Sequence, residues 1–211
     1  MTCVCVCNTK GGVGKTTTAI HIAMSLFKSN SVLLIDGDEQ KSASKWAMYR
    51  REHHDCLETP TTICLTNKSI FLEGRGLEKH YSYVVVDVGG RDTSSLRSGL
   101  VLADIAVIPC GASSLDYMAL TDLLEVIAVA KEHNPDLIIK ILMTRLDPRS
   151  KDNSNLLAFL IENNLSVFNT IIHERVSYRR SIAKGLVVQE YEHDLNAILE
   201  IENLMKEILV S

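Results

Sequence analysis

The chain has no excess of positive charge. Its 211 residues carry a formal net charge of −4. The molecule as a whole is therefore not a basic nucleic-acid binder, and any contact with a polyanion must be a local patch. The C-x-x-C spacing is missing as well. Cys3, Cys5, Cys7, Cys56, Cys64 and Cys110 never show it, which removes the usual zinc and thioredoxin patterns. No apolar run approaches the roughly 20 residues that a membrane-spanning helix requires. The first such run is short and ends in a polar loop, unlike a secretory signal. Repeats and low-complexity tracts are absent. Together these absences describe a cytosolic protein with reduced thiols. With 46% hydrophobic residues, one compact core is expected, and residues 1–211 are read as a single domain.

What is present is alternation. Short apolar runs occupy Thr2–Cys7, Val32–Asp36, Thr62–Leu65, Tyr83–Asp87, Ile105–Pro109, Leu137–Met143 and Val167–Ile172. Most are continuous, as in strands buried on both faces of a parallel sheet. Helical patterns lie between or after them at Thr16–Lys28, Lys41–Arg51, Ser69–Lys79, Leu115–His133, Asn153–Asn163 and Leu195–Leu209. This order predicts an α/β domain with a doubly wound, mostly parallel sheet flanked by helices. Ligands of such sheets bind at the carboxyl ends of the strands. Cys3, Cys5 and Cys7 then share one strand face and Val4 and Val6 the other. Thiolates on one face of an extended strand sit about 7 Å apart, an awkward geometry for one metal. Core packing is the expectation for all three.

The first strand delivers KGGVGKTT to the start of a helix. That is the setting of a phosphate loop, in which backbone N–H groups and a helix N-terminus cradle an anion. Gly11, Gly12, Val13, Gly14, Lys15, Thr16 and Thr17 are the candidate nucleotide-binding residues. Lys15 is placed for the β- and γ-phosphates and the Thr16 hydroxyl for Mg²⁺. The general pattern would put its first glycine at position 9, but the residue there is Thr9, and an extra lysine, Lys10, follows it.

With that lysine, KGGVGKTT resembles the deviant Walker A motif of the ParA/MinD family of P-loop ATPases. The resemblance implies ATP and Mg²⁺ as ligands and a sandwich homodimer in which Lys10 reaches the partner's phosphates. It implies roles for LIDGDEQ, similar to the family's D-x-D-P-Q: Asp38 as the residue that orients water, and Asp36 as support for the metal and the loop. YVVVDVGG resembles a Walker B strand, with Asp87 holding Mg²⁺ through water. Arg91 and Asp92 follow it without an assigned role. IPCGASSLDYMAL resembles a strand end and loop at the nucleotide and dimer face, where Asp116, with Ser113 or Ser114, is read as a helix cap in preference to a catalytic group. ILMTRLDP resembles the strand end beside the adenine, so Thr144 and Arg145 are expected to line the base pocket.

The remaining features set the expected biology. Arg175, Arg179, Arg180 and Lys184 form the main basic concentration. If helical, they share a broad face, either as a nonspecific DNA contact of the ParA type or as a solvated surface. The last helical segment carries Glu200, Glu202 and Glu207 against Lys206. That acidic balance argues for packing rather than for membrane attachment of the MinD type. The chain starts at its first strand, so an operator-binding helix-turn-helix extension is not expected. The leading reading is a small plasmid-partition ATPase, bacterial, cytoplasmic and nucleoid-associated, with a centromere-binding protein as its stimulating partner. The rivals are a metabolic P-loop enzyme of the dethiobiotin synthetase type and a MinD-like positioning ATPase.

Overall fold

A computed structural model describes residues 2–90, 93–147, 152–191 and 193–210 of the protein. Its central strand is β1 (Thr2–Cys7), followed through the glycine loop by α1 (Lys15–Phe27). The chain then adds β2 (Val32–Asp36), α2 (Ser42–His53), β3 (Thr61–Cys64), α3 (Ser69–Leu77) and β4 (Tyr83–Val88). It continues with α4 (Thr93–Leu102), β5 (Ile105–Cys110), α5 (Ser114–His133), β6 (Ile138–Leu146) and α6 (Asp152–Glu162). It closes with β7 (Ile172–His173), α7 (Val176–Ala183), α8 (Val188–Tyr191) and α9 (Leu195–Leu209). The strands form one sheet in the order β3-β2-β4-β1-β5-β6-β7, and every pairing is parallel. β1 lies between β4 and β5, so the chain winds to one side of β1 and then to the other. The loop leaving β1 therefore opens at the switch point of the winding, where such sheets bind ligands.

The two faces of β1 build two separate cores. Val4 and Val6 pack with Leu34, Val85 and Val107 under residues of α1, α2, α7, α8 and α9. Cys3, Cys5 and Cys7 pack with Ile35, Val86 and Ile108 under residues of α3, α4, α5 and α6. The three thiols are fully buried, and a hydrogen bond with Cys7, together with burial, pushes the Cys5 thiol well up. Among the described residues no cluster of metal-ligating side chains occurs. The cysteines are strand interior that fixes where the loop begins.

Some boundaries differ from the sequence expectation, for physical reasons. The run 167–172 was expected as one strand. Only Val167 makes a bridge, to Ile141, and the ladder resumes at Ile172. In between, the backbone amides of Asn169 and Thr170 donate to the Glu207 carboxylate, each at 2.8 Å. A side chain of α9 has replaced the neighbouring strand as acceptor. α4 was not anticipated. It contains Gly99, where a Cβ would lie 2.9 Å from Val88 Cγ2 and 3.0 Å from Cys5 Sγ. The glycine weakens the helical signal yet lets the helix lie against the sheet. α9 packs through Ala197, Ile201, Leu204, Met205 and Ile208. Its expected acidic face is only partial, because Glu200 and Glu207 turn inward as hydrogen-bond acceptors. Among the described residues, no helix is long and apolar enough to cross a membrane.

Candidate functional site

Asn8, the first residue after β1, is completely buried. Its Nδ2 donates to Pro109 O at 2.7 Å and its Oδ1 accepts from the Lys10 amide at 2.9 Å. The loop is thereby tied to the end of β5. Thr9 adds a second tie, donating from its hydroxyl to Ala119 O on α5 at 2.9 Å. Gly12 and Gly14 take left-handed backbone, with φ of 79° and 93°, which glycine adopts without Cβ strain. Thr9 is not among the residues with positive φ, so a threonine is tolerated where the general motif has glycine. α1 begins at Lys15 with Gly14 as its cap and no capping side chain. Its first-turn amides are left to an external acceptor.

The loop forms one wall of a cavity of about 880 Å³, a size suited to a nucleotide-sized ligand. Gly11, Gly12, Gly14, Lys15, Thr16, Thr17 and Asp38 line it. Ile172, His173, Glu174, Arg175, Tyr178 and Arg179 line it as well. Lys15 Nζ donates to Lys10 O at 2.7 Å. Burial lowers its pKa, and Asp87 and Asp38 offset part of that. Asp87, on β4, is buried, and burial pushes its carboxyl up from 3.8 to about 7, against a hydrogen bond from the Thr16 side chain. Its Oδ2 is buried without a hydrogen-bond partner. An orphaned carboxylate oxygen beside a hydroxyl is the donor set a hard divalent cation takes, so Asp87 and Thr16 fit a magnesium site.

Asp36 accepts two backbone amides. Its Oδ2 accepts from the Ser44 amide at 2.7 Å, and its Oδ1 from the Asp38 amide at 3.3 Å. Asp36 thus caps α2 and holds the turn that presents Asp38. It remains close enough to raise the Asp87 pKa, but its oxygens are spent on amides. Asp38 Oδ1 accepts from the Gln40 amide at 2.8 Å. The Asp38 carboxylate lies against Gly89, where a Cβ would come within 2.7 Å of its Oδ2. Arg91 and Asp92, just beyond, lie outside the described residues.

Thr144 and Arg145, the residues expected beside the base, both line the cavity and are also tied to the loop. Thr144 Oγ1 donates to Val13 O at 2.9 Å, and Arg145 Nη1 donates to Gly12 O. Arg145 Nε also donates to Glu174 Oε2 at 2.6 Å. Asp116 is a cap, as read. It and Ser113 form a capping box at the start of α5. The same carboxylate takes the Lys10 ammonium, with Nζ 2.8 Å from Asp116 Oδ1 and 2.9 Å from Ser113 Oγ. Burial alone would raise the Asp116 pKa, but the hydrogen bonds from Lys10 and Ser113 outweigh it and hold the group below its usual value.

The basic segment is helical, and its charges are divided. Arg175 stands at the N-cap position of α7 without a capping side-chain bond, and it lines the cavity. Its guanidinium donates to Glu200 Oε1 at 2.7 Å, and Glu200 raises its pKa. Glu200 also accepts from His173 Nδ1 at 2.8 Å and from the Tyr178 hydroxyl at 2.9 Å. This carboxylate of α9 therefore orders the cavity wall, and Arg175 is committed to it. Arg179 Nε is 3.9 Å from Glu174 Oε1 with its side chain largely in solvent. Arg180 and Lys184 are exposed. The wall residues His173, Glu174 and Tyr178 were not singled out in the sequence. Their nearest signal was the basic run that follows, and their acceptor is many residues away. Asn8, also missed, was legible as a polar residue between a buried strand and the loop.

A parallel α/β sheet with a glycine loop at its switch point, a buried lysine and an orphaned aspartate defines a P-loop nucleotide-binding protein. Residues 4–188 match the CobQ/CobB/MinD/ParA nucleotide binding domain family, and the chain belongs to that family. The maintenance of carboxysome distribution protein A of Gloeobacter kilaueensis is 31% identical over 192 residues, covering 89% of this chain and 84% of that one. The fold is shared with two solved structures. One is a putative plasmid partition protein from Borrelia burgdorferi bound to AMPPNP, with TM-score 0.78 and 22% identity, covering 99% of this chain and 98% of that one. The other is an ATP complex of McdA from Cyanothece, with TM-score 0.80 and 19% identity, covering 99% of this chain and 96% of that one.

Proposed function

We propose that the protein is an ATPase of the ParA type, using Mg²⁺ and ATP, that dimerises on ATP, binds DNA without sequence preference and is released by hydrolysis. The observation that carries this reading is the buried Asp87 Oδ2 without a partner, set beside Thr16 and Lys15 at the loop. Lys15 leaves Lys10 O for the phosphates. Asp87 and Thr16 would hold Mg²⁺, which neutralises phosphate charge when bound. Asp38 orients the attacking water, with Asp36 fixing the turn beneath it. Lys10 of a second copy completes the site by neutralising charge on the transferring phosphoryl group, as an arginine finger does. Dimerisation pairs two basic surfaces, and bivalency tightens their hold on DNA. Arg180 and Lys184, with Arg179 at the edge, are the exposed groups for phosphates, the Lys184 ammonium resting 4.9 Å from the centre of the Tyr191 ring. Arg175 is left out because Glu200 holds it.

Plasmid DNA is the proposed cargo, with a centromere-binding protein to stimulate turnover on the nucleoid. The carboxysome-distribution relative supports a second reading, in which the same cycle positions a protein body. A MinD-like cycle on a membrane uses the same ATPase geometry. A DNA-mobility assay with ATP, with ADP and without nucleotide separates the two DNA-based readings from the membrane one. ATP-dependent, salt-sensitive and sequence-independent binding is expected. No binding in any nucleotide state at low salt removes the DNA-based reading, and ATP-dependent flotation with anionic vesicles would replace it with the membrane one.

A further inference from the structure

Two successive peptide carbonyls of the glycine loop are held by two successive residues of β6. Thr144 Oγ1 donates to Val13 O at 2.9 Å, and Arg145 Nη1 donates to Gly12 O. Thr144 is buried. Arg145 has φ of 55°, left-handed backbone that a non-glycine residue rarely takes and that concentrates at functional sites. It falls at the register shift between β6 and β7, where Thr144 pairs with Ile172 and Leu146 with His173. An irregularity of this kind re-aims the side chain of the residue left out of the ladder. Here it sends the guanidinium towards the loop. Glu174 steadies that guanidinium at 2.6 Å, and the Glu174 amide is itself bonded to Leu146 O at 3.1 Å.

In a trans peptide, C=O and N–H point in opposite directions. Holding the Gly12 and Val13 carbonyls towards β6 turns the Val13 and Gly14 amides the other way. We propose that Thr144 and Arg145 are positioning residues for the phosphate cradle: they fix the loop so that its amides face the phosphates before ligand arrives, and they do not read the base. The inference rests on the nucleotide-binding reading above. A preorganised cradle avoids ordering a glycine-rich loop on binding, which raises affinity without a new contact. The Arg145–Glu174 pair has its guanidinium half exposed, at 52%, and exposed pairs contribute little to folding. Arg145 variants are therefore expected to fold.

The test is calorimetric titration of Mg-ATP, Mg-GTP and inorganic tripolyphosphate into the wild type, Arg145→Ala, Arg145→Lys and Thr144→Val. Positioning requires Arg145→Ala and Thr144→Val to lose affinity for all three by a common factor of about ten, the scale of one charge-assisted or buried hydrogen bond. The ATP-to-GTP ratio stays at its wild-type value, Arg145→Lys recovers part of the loss, and ligand-free melting of the Arg145 variants is unchanged. A changed ATP-to-GTP ratio with intact tripolyphosphate binding would show that these residues read the base and overturn the proposal. So would unaltered affinity for all three ligands, or a loss that merely follows unfolding. If the wild type itself binds none of the three, the nucleotide-binding reading falls and takes this inference with it, an outcome distinct from a failure confined to the variants.

Discussion

The Lys10 ammonium lies 2.8 Å from the Asp116 carboxylate of its own chain. The lysine proposed to serve a second copy is therefore held at home, at the mouth of the loop, by the residue that caps α5. Dimerisation has to exchange this pair for contact with the other copy's phosphates. Asp116→Asn keeps a capping side chain and removes the charge. It is expected to move ATP-dependent dimerisation to about tenfold lower protein concentration or below, since a charge-assisted bond contributes about 1.5–3 kcal/mol. An unchanged midpoint in sedimentation would show that the pair is not a constraint on association.

Asp87 gives a pH dependence with a definite sign. Its carboxyl ionises near 3.8 when unfolded and near 7 in the ligand-free fold, chiefly because it is buried. The protonated form favours folding, so this contribution is complete below 3.8 and is lost as pH rises through about 7. Its full size is on the order of 4 kcal/mol. His21 acts in the opposite sense. Burial lowers it from 6.5 to about 4, so its contribution is present above 6.5 and lost as pH falls through about 4. Thermal melting from pH 6.5 through about 7 therefore follows Asp87 without His21. Ligand-free stability should fall with rising pH there, and Asp87→Asn should flatten that slope. Affinity for Mg-ATP should rise over the same interval, because the cation requires the ionised carboxylate.

Gly90 and Gly76 make a contrasting pair. A Cβ on Gly90 would stand 2.3 Å from Thr9 O and 3.0 Å from Asn8 O. Both are backbone atoms at the start of the loop, so Gly90→Ala must displace the cradle. ATP affinity is expected to fall at least tenfold. Gly76 lies in α3, and a Cβ there meets nothing within 4 Å. Gly76→Ala should stabilise the fold by about 0.5–1 kcal/mol and leave nucleotide binding alone. Titration and melting curves on the two variants check both expectations.

The division of the basic segment predicts separable phenotypes. Arg180→Ala and Lys184→Ala should each weaken ATP-state DNA binding and reduce the slope of log affinity against log salt by about one. Arg175→Ala breaks the pair with Glu200 at the cavity wall. It should lower nucleotide affinity and leave the salt slope of DNA binding unchanged. A loss of slope in Arg175→Ala would return this residue to the DNA surface.

The parts of the fold set by local pattern were legible. β1, β2 and α9 match their expected ranges because continuous apolar runs and a clear helical period define them. The loop was legible because its glycines and lysines are contiguous. The parts that resisted depend on partners distant in the chain. β7 is short because Glu207, 37 residues from Thr170, takes its neighbour's place as acceptor. Arg175 reads as a free cation until Glu200, 25 residues on, is placed beside it. Thr144 lines the cavity, but the bond from its hydroxyl to Val13, 131 residues earlier, has no local signal. The resemblance gives Asp36 a supporting role at the metal and the loop, whereas its bond from the Ser44 amide, eight residues on, has no local signal.

The most direct test of the proposed cycle is sedimentation velocity of the Asp38→Ala protein with Mg-ATP, beside the Lys10→Ala, Asp38→Ala double variant. If the loop grips a triphosphate and Lys10 of a second copy completes the grip, the single variant sediments as a dimer with ATP and as a monomer with ADP, and the double variant stays a monomer in both. A single variant that remains monomeric with ATP, or a double variant that dimerises as readily as the single one, would contradict it.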